Sequence, residues 1–175
     1  ATGDVLNAES AANRGIDGLH GWMHEAEKLW NANSENRAMT LVDRWNYHNE
    51  LGAQFPIAPL RVVYAKAGTQ PAACLLRDPR GAIDHKLYWM TPASEGEAFY
   101  LTAVLNSETA RAGAEQYQSR GQFGARDFDK VMFNLPIPRF DAKDRLHHAL
   151  AEAAVQAEKV AAQVDFPEGM KFQRA

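Results

Sequence analysis

The hydrophobic period changes twice along this chain, and that change limits the fold more than any other feature. In DGLHGWMHEAEKLWN (17–31) the apolar residues Leu19, Trp22, Met23, Ala26, Leu29 and Trp30 recur every three or four positions. This spacing predicts an amphipathic helix, with Asp17 placed to cap it. After the polar break NANSEN, AMTLVDRWNYHNEL predicts a second helix with Leu41, Val42, Trp45 and Leu51 inward, ended by QFPIAP because proline and its predecessor disfavour helix. From residue 61 the period shortens. RVVYAKAG, PAACLLRD and DHKLYWMTP are short apolar runs separated by the turn signals GTQP and DPRG. Three runs with tight links predict an antiparallel meander with one face packed.

Helical spacing then returns. SEGEAFYLTAVLNSETARAGAEQYQ predicts a long helix opened by a capping box of Ser94 and Glu97, with a break near Asn106 and Ser107. SRGQFGARDFD is a glycine-bearing loop, in which Gly121 serves either as a helix C-cap or as a point of close backbone approach to a ligand. DKVMFNL offers one or two helical turns. LPIPRF brackets one isoleucine with Pro136 and Pro138, a rigid connector because both φ angles are restricted and neither nitrogen can donate. The closing helix starts near Asp141, with Leu146, Leu150, Ala153, Ala157, Val160 and Val164 as its expected inward face. The fold class is therefore α+β: N-terminal helices, a small antiparallel three-stranded meander and long helices packing on it. The expected division is an N-terminal helical segment (1–54), a sheet-bearing core (55–140) and a C-terminal helix and tail (141–175).

The 175 residues carry 46% hydrophobic and 23% charged side chains, enough for a packed core. No apolar run approaches the roughly 20 residues of a membrane span. The start, ATGDVLNAESAANRG, has no basic n-region and no apolar h-region, so a signal peptide is not expected, and the missing Met suits an excised or processed chain. Cys74 is the single cysteine, which excludes an internal disulfide and a multi-thiolate zinc cluster. It is expected to be a buried, inert thiol in a cytoplasmic protein. The net charge of −3 argues against nucleic acid as a partner, yet residues 60–90 hold Arg61, Lys66, Arg77, Arg80 and Lys86 against only Asp78 and Asp84.

Catalytic signatures are absent. There is no GxSxG elbow, no P-loop and no dinucleotide fingerprint after a strand. His20 and His24 have zinc-compatible helical spacing but no evident third ligand, and His147 and His148 are adjacent and diverge on a helix. No catalytic or metal-ligating residue is assigned. The four tryptophans are expected mostly in the core, given how buried tryptophan is on average.

Three segments in order, RVVYAKAGTQPAACLLRD, DHKLYWMTPASEGEAFYLTAVLNS and GQFGARDFDKVMFNLPIPRFD, resemble the C-terminal target-recognition part of N6-adenine DNA methyltransferases. Type IIG restriction-modification enzymes and their large bacterial defence relatives share this layout: strands leading to a YLxAxLNS helix, a Gly/Arg loop, an LPIPxF bracket and a closing helix. The resemblance covers about residues 55–165. It implies a module that reads DNA sequence while a separate methyltransferase domain of the same parent polypeptide transfers the methyl group from S-adenosylmethionine. The (Asn/Asp/Ser)-Pro-Pro-(Tyr/Phe) motif of that catalytic domain is missing, as is any Pro-Pro dipeptide, so this chain by itself is expected to be neither catalytic nor cofactor-binding.

Double-stranded DNA is then the expected partner, and side-chain chemistry and loop placement suggest which residues meet it. Arg61, Lys66, Arg77, Arg80, Lys86 and Arg120 are candidates for phosphate contacts. Thr69, Gln70, Gln122 and Arg126 are candidates for base contacts, since Arg suits guanine and Gln suits adenine. The rival expectation is a helical protein-interaction or structural domain of a larger bacterial protein, with Trp22, Trp30, Trp45 and Trp89 as interface anchors.

Overall fold

A computed structural model of the chain describes residues 3–36, 38–68, 71–118, 120–121, 124–125 and 128–165. The chain packs as two compact units, one of Ala1–Ala58 with Pro79–His85 and one of Pro59–Asp78 with Lys86–Ala175.

The first unit is helical. α1 (Ala8–Asn13), α2 (Asp17–Asn33) and α3 (Leu41–Trp45) follow in order. α1 was not evident from periodicity because it is short. It is fixed at its start by a reciprocal cap, in which Asn7 Oδ1 accepts from Ser10 N at 2.7 Å and Ser10 Oγ accepts from Asn7 N at 2.8 Å. Glu27 of α2 accepts from Ala8 N, and His20 Nδ1 lies 2.9 Å from Ala8 O, so α2 supplies polar partners to the start of α1. Asp17 is the first residue of α2 and makes no side-chain cap; the N-cap is Ile16. The second expected helix is much shorter than its pattern. Thr40 and Asp43 cap α3 reciprocally, but His48 and Asn49 take φ of 54° and 61°, which break the helix after Trp45. Gln54, 6% exposed, pairs with Ile83 through both amide atoms, Nε2 to O at 2.8 Å and Oε1 from N at 2.7 Å. This pairing ties residues 79–85 into the unit.

The second unit holds the sheet. β1 (Arg61–Ala65), β2 (Ala73–Leu76) and β3 (Leu87–Met90) are antiparallel in the order β2-β1-β3. The three strands are those the short runs predict. Their lateral order differs from the in-sequence order of a simple meander, because β1 is central and is the most buried strand. α4 (Glu95–Leu105) and α5 (Glu108–Glu115) follow, then β4 (Arg120–Gly121) and β5 (Gly124–Ala125), a 3₁₀ segment (Asp129–Asn134) and α6 (Arg145–Ala161). Gly121 therefore lies in a small hairpin and does not cap a helix.

Two apolar clusters set the packing. Val62 and Tyr64 of β1 pack with Ala98, Leu105, Ala110, Ala114, Phe128 and Met132. Phe99 and Tyr100 of α4 pack with Ala151 and Ala154 of α6. The proline bracket joins the two. Ile137 borders both clusters, and Leu135 lies where any side chain on Gly113 would meet it, 2.9 Å from an ideal Cβ. Tyr100 Oη donates to Pro138 O at 3.0 Å, and Phe140 lies against Gly96, 3.1 Å from an ideal Cβ there. The bracket thus pins the segment after the small hairpin to α4 and α5 before α6 begins.

α6 starts one turn later than its pattern suggests. Asp144 Oδ1 accepts from Leu146 N and His147 N, so Asp144 is the N-cap. The inward face is also rotated by one residue. His147, Ala151 and Ala154 are buried, whereas Leu146, Val160 and Val164 are 66%, 65% and 51% exposed. Small Ala151 and Ala154 seat α6 against the rings of Phe99 and Tyr100, and His147 Nδ1 accepts from Asp141 N at 3.0 Å.

The tryptophans depart from expectation as well. Trp22, Trp45 and Trp89 are exposed, and Trp30 is half-buried with Nε1 donating to Met39 O at 2.8 Å. Cys74 is exposed on β2, not buried, and partial desolvation together with the Glu158 charge pushes its thiol pKa up, which keeps it protonated.

Candidate nucleic-acid interface

The residues after β1 form a junction. Lys66 N donates to Lys86 O at 3.0 Å, and Lys66 O accepts from Phe128 N at 2.7 Å. One residue thus joins the end of β1, the approach to β3 and the chain leaving the β4–β5 hairpin. Phe128, 1% exposed, anchors that chain in the core. The Lys66 ammonium sits 4.2 Å from the centre of the Tyr88 ring, which packs on Tyr64 at 5.3 Å. A cation over a half-buried tyrosine contributes about 0.5–2 kcal/mol, enough to bias the position of the amine. Lys86 is exposed beside it in sequence with β3.

The link from β1 to β2 leaves and returns at this same end of the sheet, since Tyr64 pairs with Ala73. Asn106, at the end of α4, fastens the return. Its Oδ1 accepts from Ala73 N at 2.9 Å, and its Nδ2 donates to Ala73 O at 2.8 Å and to Thr102 O at 2.9 Å. The side chain amide acts as one more peptide unit on the edge of β2. Ser107, the next residue, caps α5 through Ala110 N. The Leu-Asn-Ser run thus buries Leu105, clamps β2 and starts the next helix. The signal for this clamp was present as the predicted break at Asn106 and Ser107, but the strand it reaches is 33 residues away.

The candidate contacts separate on this frame. Lys66 and Lys86 come together at the junction. Arg120 contributes its backbone to the hairpin there, pairing with Ala125. Thr69, Gln70, Gln122 and Arg126 lie outside the described residues, and so does the Arg120 side chain. Arg61 and Arg77 lie at the opposite end of the sheet, where Arg61 pairs with Leu76. Both are engaged there. Arg61 is 1% exposed and its Nη2 donates to Asp78 O at 2.9 Å; burial pulls its pKa down, against the Asp78 charge. Arg77 donates to both carboxylate oxygens of Glu158, at 2.7 and 3.2 Å, and lies 3.6 Å from Glu95. The hydrogen bond to Glu158 raises its pKa, and its charge is balanced by two carboxylates. Arg77 ties β2 to α4 and α6, and neither guanidinium is placed to hold a phosphate. Arg80 is exposed and belongs to the N-terminal unit.

Among the described residues no group of three His, Cys, Asp or Glu side chains could hold a metal ion, and no helix is long and apolar enough to cross a membrane. In the N-terminal unit, Trp22 stacks on Trp45 at 5.6 Å and 19°, the two residues being 59% and 40% exposed. Beside them, an open groove of about 410 Å³ is lined mainly by Leu29, Trp30, Leu41 and Trp45.

No protein family, no curated protein and no solved structure matches the chain.

Proposed function

We propose that this chain is the DNA target-recognition module of a larger S-adenosylmethionine-dependent adenine-N6 methyltransferase or restriction-modification enzyme of the cytoplasm. The observation that supports the reading is the junction at Lys66. It brings two lysines, the β1–β2 link and the β4–β5 hairpin to one end of one sheet through backbone bonds. Lys66, Lys86 and Arg120 hold phosphates, and Thr69, Gln70, Gln122 and Arg126 reach base edges from the two loops. The contacts among the family-like segments add support: Tyr100 of YLTAVLNS bonds Pro138 of LPIPRF, so their order and spacing answer to one packing. Methyl transfer and its cofactor belong to the methyltransferase domain of the parent polypeptide. With a net charge of −3 the isolated chain binds duplex weakly, on the order of 10⁻⁴–10⁻⁶ M.

Selection from randomised duplexes at low salt tests this. A short preferred sequence is expected, and Gln122→Ala or Arg126→Ala relaxes one position of it by about 1–3 kcal/mol. Failure to retain any duplex sinks the proposal. The exposed Trp22–Trp45 stack beside its groove favours a second reading, a helical protein-interaction domain, in which Trp22→Ala abolishes the activity of the parent while leaving duplex binding intact.

A further inference from the structure

α2 carries two histidines one turn apart, His20 and His24, whose ring centres lie 6.2 Å apart with the planes tilted by 36°. His20 is half-buried and His24 exposed. His20 Nδ1 sits 2.9 Å from Ala8 O. A carbonyl only accepts, so Nδ1 carries the proton and the neutral ring keeps its lone pair on Nε2. Among the described residues Nε2 of His20 and both ring nitrogens of His24 have no protein partner. This is the arrangement of metal-binding histidines: one nitrogen donates to a backbone carbonyl, which fixes the tautomer and makes the other nitrogen a better ligand. A spacing of four residues sets both rings on one helix face. His24, held by no hydrogen bond, is able to turn a nitrogen toward an ion seated on His20 at about 2.0–2.1 Å. Glu27 lies on the same face but is turned to α1, its Oε1 accepting from Ala8 N at 3.0 Å.

We propose that His20 and His24 chelate one divalent transition-metal ion, with water completing its coordination. Neutral imidazole selects zinc, nickel and copper over calcium and magnesium, which prefer oxygen ligands. Binding reaches α1 through one atom pair. A metal ion on Nε2 draws charge from the ring, so Nδ1–H becomes a stronger donor to Ala8 O. Ala8 is the first residue of α1, and Glu27 already holds its N–H. The ion therefore tightens the seat of α1 on α2. α1 is six residues long, too short to persist without such contacts. The site lies in the N-terminal unit and does not depend on whether the chain binds DNA.

Calorimetric titration of the 175-residue chain with Zn²⁺ tests this, in a Cys74→Ser background that removes the exposed thiol as a competing ligand. Saturable binding is expected with Zn²⁺ and none with Mg²⁺. His24→Ala keeps the fold, since the side chain is exposed and makes no hydrogen bond, and it weakens Zn²⁺ binding about a hundredfold because a single imidazole replaces a chelate. His20→Ala does the same, and His148→Ala on α6 leaves binding as it was. Zn²⁺ slows hydrogen exchange at the Ala11 and Arg14 amides, which bond back into α1, and does so only while His24 is present. Absence of Zn²⁺ binding overturns the proposal. So does binding that His24→Ala leaves at full strength, or exchange in α1 that is indifferent to Zn²⁺.

Discussion

Asn106 offers the sharpest stability prediction, because one side chain fastens the edge strand of the sheet to the end of α4. Asn106→Ala removes three hydrogen bonds, two to Ala73 and one to Thr102. Asn106 is exposed, so water takes over part of what is lost, and each bond is worth the lower half of the usual net value. Three bonds at about 0.5–1 kcal/mol each give a loss of about 2 kcal/mol. Asn106→Asp keeps the acceptor for Ala73 N but replaces the donor with a second oxygen facing the carbonyls of Ala73 and Thr102. At neutral pH it is therefore less stable than the alanine variant. Those carbonyls disfavour the charged carboxylate, so the folded-state pKa is raised. The penalty is full above that pKa and shrinks as pH falls through it, while the alanine variant tracks the wild type. Urea unfolding gives the global loss, and exchange of the Ala73 amide hydrogen reports the strand edge directly. An alanine variant within about 0.5 kcal/mol of wild type, or an aspartate variant that matches the wild type at neutral pH, refutes the clamp.

Tyr100→Phe deletes the bond to Pro138 O from a residue 1% exposed and should cost about 1 kcal/mol in urea unfolding, with the fold kept. Asp144 accepts from Leu146 N and His147 N, which lower its pKa. Its contribution is present above the ordinary aspartate pKa and is lost as pH falls through the lowered value; Asp144→Asn should keep the cap and remove that acid-dependent loss, read from helix melting by circular dichroism. Arg77→Ala should cost no more than about 1 kcal/mol, less at high salt, because its pairs with Glu158 and Glu95 are half-exposed. It should leave duplex binding unchanged, since that charge is already balanced.

Periodicity located the helices and the three strands, because burial on one face imposes a three-to-four or a short apolar spacing on any sequence. It did not settle which face. On α6 the larger residues Leu146, Leu150 and Val160 define the stronger stripe, yet the fold buries the smaller Ala151 and Ala154, which fit against Phe99 and Tyr100. Short elements escaped for a related reason. α1 spans under two turns, too few for a period, and only its Asn7–Ser10 cap marks it. The helix expected over 38–51 was cut by left-handed backbone at His48 and Asn49, a choice tied to Asn46, whose Oδ1 accepts from Gly52 N at 2.8 Å. Strand order was not legible because the return of β3 to the far edge of β1 depends on where the chain between β2 and β3 packs. Among the candidate contacts, charge alone could not separate Lys66 and Lys86 from Arg61 and Arg77. That distinction needs the strand register, which puts the two lysines at one end of the sheet and the two arginines at the other.

The junction explains why a recognition surface would need the bracket at 135–140. Loops read bases only when their anchor points keep register, and here those points are Lys66, Ala73 and Phe128, held by backbone bonds and by Asn106. The bracket fixes the outgoing strand of chain after Phe128 against α4 and α5 through Ile137, Leu135 and Pro138 O.

The salt dependence of duplex binding tests the central claim most directly. Log affinity of the wild-type chain should fall linearly with log salt concentration, and Lys66→Ala with Lys86→Ala should reduce the slope by about two, while Arg77→Ala leaves it as it was. A slope unchanged by loss of both lysines, or no salt-dependent binding to any duplex, contradicts the assignment of the Lys66 end of the sheet to DNA.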